Sequence, residues 1–366
     1  MIFRTCGKTG KALSAIGAGT MRFKTPANDD DVRDAARVLL HAHEKGINYF
    51  DTAPYYCGDR SEDITARAIR DMKPGSFYLS TKSGKPAGTE LRAQLETSLK
   101  RLGVDCIHFF HVWCVMDPAD WVQRKEKGAV AAALQAQKEG LVEHVVFSTH
   151  MTGTETAAVI RENIFEGMTI GYNALNFPYR QEGIEAAEKA SIGVVCMNPL
   201  AGGLIPAHAK RFNFIRRADD GNVVTAALRF LLSHKAITSA LVGFANKSEV
   251  DAAVSAIEQF KPYSPEEINQ LKRRIEDSFD QLCTGCQYCL PCPAGVPIPK
   301  YMDSYNMKML SGTDAAVLDR LKWHWDIQAA DAGACTACGL CESRCTQHLP
   351  IIERLRGISR IPEPGN

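Results

Sequence analysis

The sequence predicts an α/β chain: a (β/α)8 barrel followed by a small, helical, cysteine-rich C-terminal domain. Three observations carry that prediction. From Ser14 to about Gln259, eight short β-like runs alternate with amphipathic helical stretches. The segment Lys261-Pro262-Tyr263-Ser264-Pro265 then breaks the alternation. Beyond the break, eight of the 13 cysteines fall into two closely spaced runs.

Taken in order, the stretch Phe3–Ala15, with Gly7 and Gly10, reads as a β-hairpin that caps the bottom of the barrel. The barrel strands are expected at Ser14–Gly19, Ile47–Ala53, Phe77–Lys82, Cys106–Trp113, Val142–Ser148, Met168–Leu175, Gly193–Asn198 and Ile237–Gly243. Between them Asp30–Lys45, Thr89–Leu102 and Gly183–Ala190 read as helices, and Gly46, Gly103 and Gly140 stand where helices stop. An open doubly wound sheet is the alternative, but no G-x-G-x-x-G follows the first strand. The expected organisation is a barrel over 1–262, a linker helix over 263–282 with Glu266 and Glu267 in its first turn, and a cysteine-rich domain over 283–366. Tyr301–Ala330 reads as helical and separates the two cysteine runs.

Composition narrows the function classes. In 366 residues, 43 Lys and Arg balance 42 Asp and Glu, which argues against a nucleic-acid or anionic-membrane partner. A hydrophobic share of 45% is enough for a large core, and no apolar run approaches the length of a membrane span. Reduced thiols in this number point to a cytoplasmic protein in a low-oxygen setting.

The runs are Cys283-x-x-Cys286-x-x-Cys289-x-x-Cys292-Pro293 and Cys335-x-x-Cys338-x-x-Cys341-x-x-x-Cys345. A cubane of iron and sulfide needs four thiolates, and a loop with two-residue gaps presents three of them. In two-cluster ferredoxins the fourth comes from the other run. Crossed ligation of that kind assigns Cys283, Cys286, Cys289 and Cys345 to one [4Fe-4S] cluster, and Cys335, Cys338, Cys341 and Cys292 to a second. Pro293 fits the ferredoxin pattern, whereas Thr346 stands where a second proline would be. Zinc ribbons take their ligands in two pairs, unlike these triplets with one more cysteine, and disulfides need an oxidising compartment. The domain is read as ferredoxin-type with two clusters.

Several barrel motifs resemble the aldo/keto reductase superfamily. They are Asp51-Thr52-Ala53-Pro54-Tyr55-Tyr56 followed by Ser61-Glu62, Ser80-Thr81-Lys82, the run Ser98–Asp105, and Phe147-Ser148-Thr149-His150. With the cysteine runs added, the chain is similar to oxidoreductases that fuse such a barrel to a ferredoxin-type tail. The resemblance implies a site built from Asp51, Tyr56 and Lys82. It places Trp113 where the family has its histidine, with His111 at the same inward parity one layer deeper. For NADP(H) it implies Ser148, His150, Asn173, Gly202, Gly203, Gly243, Asn246, Lys247 and Ser248. Two departures bear on that cofactor: Thr169 replaces a glutamine that clamps the nicotinamide, and Met197 replaces a stacking aromatic.

The chemistry of the triad stands on its own terms. A carbonyl being reduced gathers negative charge on oxygen, so a nearby proton donor lowers the barrier. Tyr56 can donate if a cation lowers its phenol; Lys82, held by Asp51, is the expected cation. The plainer alternatives are a structural Asp51–Lys82 ion pair with Tyr56 as a rim aromatic, and a capped helix at Asn246–Ser248 with Lys247 solvated. His108, at the opposite parity, is expected against a helix; Cys6, Cys57, Cys106, Cys114 and Cys196 as inert thiols, with Cys57 a candidate pocket residue; and Trp323, His324 and Trp325 beside the second cluster.

The expected function is reduction of a carbonyl or related small molecule at the barrel mouth, with the clusters relaying electrons and a ferredoxin or flavodoxin as the candidate donor. The alternative is an electron-transfer protein whose barrel has lost hydride chemistry. A third arrangement keeps NADPH-dependent reduction with purely structural clusters.

Overall fold

A computed structural model describes residues 1–258, 260–278, 282–283, 289–345 and 349–362. Two short strands, β1 (Phe3–Thr5) and β2 (Ala12–Ser14), pair antiparallel. Eight parallel strands follow: β3 (Ile16–Gly19), β4 (Tyr49–Asp51), β5 (Tyr78–Ser83), β6 (Ile107–Val115), β7 (Val142–Thr149), β8 (Gly167–Gly171), β9 (Gly193–Met197) and β10 (Ile237–Gly243). They close into a barrel in sequence order, with β10 pairing back onto β3. Most of these strands are apolar on both faces, because helices cover the outside and side chains fill the inside. The helix after β3, Asp29–Glu44, shows why the intervening segments coil. Asn28 accepts hydrogen bonds from the Asp30 and Asp31 amides, three aspartates favour its N-terminus, and His41 and His43 sit in its last turn.

The hairpin caps the bottom as expected. The Arg4 guanidinium donates to the carbonyls of Leu232, His234 and Ile237, the last being the first residue of β10. Gly193, at the start of β9, faces Cys6 so closely that any side chain there would overlap it. The first barrel strand is shorter than expected, because Ala12–Ser14 pairs with the hairpin and only Ile16–Gly19 joins the barrel.

Two further expectations are corrected. The sixth barrel strand stops at Gly171, not Leu175, since the Asn173 side chain captures the amides of Leu175 and Asn176 and turns the chain into the helix Phe177–Lys189. The stretch Tyr301–Ala330 is not one helix. It breaks after Ile298–Ser311 at Gly312, whose φ is 78°, resumes as Asp314–Arg320 under a Thr313 cap, and widens into a π-turn over Leu321–Trp325.

The helix Pro265–Ser278 opens with a reciprocal cap in which Glu267 accepts from the Ser264 amide and Ser264 accepts from the Glu267 amide. The main core runs through the barrel and its helices. A second core, including Ile298, Tyr301, Met302, Leu355 and Ile358, has cysteines along its edge. The helix Ile298–Ser311 joins the two, with Leu310 in the barrel core and Ile298 in the second.

Candidate active site

Asp51 ends β4, and the loop after it delivers Tyr56. That loop is pinned at both ends: Thr20, Ser61 and Thr52 form a chain of buried hydroxyls. Tyr55 and Cys57, on either side of Tyr56, have φ of 74° and 54°. Left-handed backbone at bulky residues costs about 1–3 kcal/mol each and persists only where the surroundings impose it. Here the Tyr55 hydroxyl accepts from Gln94, and the Cys57 thiol donates to the Thr20 and Phe23 carbonyls. Cys57 is thus tied to the backbone beside the loop.

Lys82, on β5, lies 2.5 Å from Asp51 Oδ1, and the Ser80 hydroxyl donates to Asp51 Oδ2 at 2.8 Å. Both ions are buried. Burial alone would discharge the Lys82 ammonium, but the Asp51 charge outweighs it and holds the group above its ordinary range. The ammonium stands 5.1 Å from the centre of the Tyr56 ring. For Tyr56 the balance goes the other way from expectation. Burial raises the phenol above its ordinary value, and the Lys82 charge only partly offsets it. Tyr56 therefore keeps its proton at neutral pH.

Trp113 reaches the same place through a bulge. Between the pairs Val112–Phe147 and Val115–Thr149, β6 carries one residue more than β7, and Cys114 takes φ of 64° with its amide donating to Ser148 Oγ. Trp113 then meets Tyr56 edge-on at 5.7 Å and stacks with Tyr55 at 6.4 Å. His111 pairs with Lys82 across β5 and β6 and points into the barrel below the triad. Its Nδ1 lies 3.2 Å from Ser80 Oγ and its Nε2 lies 2.9 Å from Thr169 Oγ1. Since Ser80 gives its own proton to Asp51, His111 must donate from Nδ1 and accept from Thr169 at Nε2. Burial, reinforced by the Lys82 charge, pushes His111 down to about 4, so it is neutral. His108 faces the other way, accepting from the Leu79 amide and packing edge-on against Tyr78.

The opposite side of the mouth contains a residue expected from sequence beside the second cluster. His324, in the π-turn of the tail, is buried against His150 at the end of β7. Their Nδ1 atoms are 3.0 Å apart, and Arg180 Nη2 donates to His324 Nε2 at 2.9 Å. Arginine only donates, so His324 carries its proton on Nδ1 and passes it toward His150 Nδ1, leaving the His150 proton on Nε2. Arg180 also donates to the Gly171, His150 and Met151 carbonyls. Burial and the nearby Arg180 and Arg320 charges push His150 down to about 3, and burial holds His324 far below its ordinary range. Trp325 donates to Asp303 and lies under Arg180. His324 and Trp325 thus pack on the barrel mouth, contrary to the expectation that they only line a cluster; Trp323 is exposed. The break in the helix is the signal that would have marked them.

The residues expected to hold a nucleotide have other partners. Ser148 accepts from Cys114, Asn173 holds its own turn and donates to the Asn198 carbonyl, and His150 meets the tail. Gly202 and Gly203 lie in a 3-10 turn after β9. Gly243 faces Arg22, whose side chain would overlap any Cβ there. Asn246 caps the helix Lys247–Ser255, Ser248 donates to Asn246, and the Glu249 carboxylate takes the Ala245 amide; Lys247 is exposed. The Glu249 carboxylate at that helix start would compete with a phosphate there.

Cysteines from the two runs meet in the tail. Cys289 and Cys292 join Cys335, Cys338 and Cys341 around a small, mostly apolar and partly solvent-open space. Cys283 is held by Asn306, which accepts from its amide and donates to its carbonyl. Cys283 and Cys345 both act on the charge of Arg354. Cys286 lies outside the described residues. Thiols facing a preformed, mostly apolar space are the donor set an iron–sulfur cluster requires.

Known proteins agree with this division. Residues 15–276 match the aldo/keto reductase family and residues 282–349 match a 4Fe-4S dicluster domain. L-galactose dehydrogenase from Arabidopsis thaliana is 25% identical over 70% of this chain and 88% of its own length. L-glyceraldehyde 3-phosphate reductase from Escherichia coli O157:H7 is 25% identical over 76% of this chain and 93% of its own. An aldo-keto reductase from Klebsiella pneumoniae in complex with NADPH superposes with a TM-score of 0.62 at 21% identity, covering 75% of this chain and 95% of that one; the likeness there is of fold. Among the described residues, no helix is long and apolar enough to cross a membrane. The chain is an oxidoreductase of the aldo/keto reductase family, with a 4Fe-4S dicluster domain behind its barrel.

Proposed function

We propose that this oxidoreductase reduces a carbonyl or related small molecule at the barrel mouth and draws its electrons through two [4Fe-4S] clusters in the tail. The observation that carries this reading is the buried Lys82–Asp51 pair set beneath Tyr56. Tyr56 holds a proton at neutral pH and gives it to the substrate oxygen as charge develops there. Lys82 then faces the phenolate left behind, and Asp51, braced by Ser80, keeps the ammonium in place. Trp113 walls the site and limits water. Cys283, Cys286, Cys289 and Cys345 would hold one cluster, and Cys335, Cys338, Cys341 and Cys292 the other. When bound, the clusters would supply one electron each, the pair that a carbonyl needs; of the two protons that accompany them, Tyr56 gives the one to oxygen and solvent the one to carbon. A small one-electron carrier such as ferredoxin or flavodoxin fits as the donor.

A second reading is an electron-transfer protein whose barrel has lost nicotinamide-dependent hydride chemistry. It is favoured by the internal bonding of Ser148, Asn173, His150 and Asn246. The two readings share the clusters and differ in whether the triad does chemistry. Tyr56→Phe tests the triad. Substrate binding should persist while turnover with a chemical one-electron donor falls by about a hundredfold or more. Unchanged turnover would leave electron transfer alone as the function.

A further inference from the structure

We propose that Arg354 sets the potential of one cluster, by donating Nη1–H to a sulfur of the cubane held by Cys283, Cys286, Cys289 and Cys345. The proposal rests on the two-cluster reading above. Arg354 lies in the helix Ile351–Ser359 and is 3% exposed. Its guanidinium stands 4.7 Å over the Tyr305 ring, which supports its flat face. Among the described residues, Nη1 has no acceptor. A buried donor on a charged group costs more to leave unpaired than a neutral one, so it calls for an acceptor, and a bound anionic group is one.

The surroundings say which group. The guanidinium lies over the Tyr305 ring and is near enough to Cys283, Cys345 and Glu353 to feel their charges. Asn306, next to Tyr305 on the same helix, clamps the backbone of Cys283, so the thiol and the guanidinium are positioned by one element. Cys283 comes from the first run and Cys345 from the second, so crossed ligation places both on a single cluster next to Arg354. A cubane with four thiolates is an anion, and its sulfurs accept hydrogen bonds. Reduction adds one more negative charge. A fixed cation beside it favours the reduced form and raises the potential.

Among the described residues the other space shows no such device. Cys289, Cys292, Cys335, Cys338 and Cys341 line it together with prolines, Thr336 and apolar side chains, with no charged residue among them. The two clusters should therefore differ in potential, with the Arg354 cluster the higher.

The test is anaerobic redox titration of the full chain, followed by electron paramagnetic resonance, with iron content measured alongside. Wild type should carry about eight irons and show two midpoints. Fewer irons, or one midpoint with one cluster, would overturn the two-cluster reading and this proposal with it. In Arg354→Gln with full iron, one midpoint should fall so that its reduced-to-oxidised ratio at fixed potential drops at least tenfold, a shift of about 59 mV for one electron. The other midpoint should stay. Cys345→Ser assigns the signal, since it should alter the same cluster. Both midpoints unmoved, both moved equally, or only the cluster untouched by Cys345→Ser moved would overturn the role of Arg354 and leave the two-cluster reading intact. Should Arg354→Gln lose iron, Arg354→Lys is read instead, because it keeps the charge without the fork. A fall in the same single midpoint supports the proposal, and an unmoved pair overturns it.

Discussion

The two sides of the barrel mouth are assembled differently. On one side Asp51, Tyr56 and Lys82 come from two neighbouring strands and the loop between them, with Lys82 and Asp51 only 31 residues apart. On the other, His150 meets a partner 174 residues away, and Arg180 reaches across 144 residues to the same His324. The first side is a charged pair beneath a phenol, the arrangement proposed above to act on a substrate. The second is a chain of neutral imidazoles ending on an arginine, arranged to hold the tail against the barrel. Chemistry that depends on one tight geometry is built from local strands, whereas the docking of a second domain is built from contacts distant in sequence.

That contrast can be broken by substitution. Lys82→Met should have the largest effect. It leaves the Asp51 carboxylate buried without its partner, which costs about 3–5 kcal/mol, and turnover should fall by at least about a hundredfold. Chemical denaturation and steady-state rates measure both. Near-normal turnover would mean that the pair is structural.

His324→Ala should act on stability more than on chemistry. It removes the hydrogen-bond partner of His150 and one acceptor of Arg180, for about 1–3 kcal/mol, and turnover should change by less than about tenfold. If turnover instead falls as steeply as in Tyr56→Phe, the tail side takes part in the reaction and the contrast fails.

The buried histidines also predict a pH dependence. His111 at about 4 and His150 at about 3 lie below the ordinary 6.5, as does His324. As pH falls through 6.5, the unfolded chain takes up protons that the folded chain refuses. Stability from this source is thus fully present above 6.5 and declines below it, by about 1.4 kcal/mol per pH unit for each histidine, until the folded values are reached. Denaturation midpoints between about pH 7 and 5 should show this slope, and His324→Ala should make it shallower. An unchanged slope would mean that His324 is not held neutral by the fold.

Trp113→Phe should have the smallest effect. An indole nitrogen does not titrate, so the change should alter the ranking of substrates by a few-fold and leave the pH profile of turnover in place. A lost acidic or basic limb would show that Trp113 positions a titrating group.

Much of the fold was legible in the chain because barrel strands and their helices follow local rules. Apolar runs of strand length, helix caps such as Asn28, and glycines at helix ends such as Gly103 locate these elements without any tertiary information. The strand after Gly167 was overrun because Tyr172 and Leu175 continue the apolar pattern, while the turn is imposed by the Asn173 side chain. The triad was legible through motifs that resemble those of the aldo/keto reductase family, with Asp51 and Lys82 on neighbouring strands. The bulge at Cys114 was not, since one additional residue in β6 is defined only against β7.

The spacing of the cysteines and the alternation of strands and helices determined by themselves that a barrel precedes an iron–sulfur domain, because each is a local demand of its element or its cluster. Only the tertiary structure decided that His324 closes on His150 and Arg180, and that Arg354 comes within electrostatic range of both Cys283 and Cys345. It also decided that burial outweighs the Lys82 charge at Tyr56. Such outcomes depend on how far water is excluded and on which distant segments share one interior, and neither quantity is carried by any stretch of sequence alone.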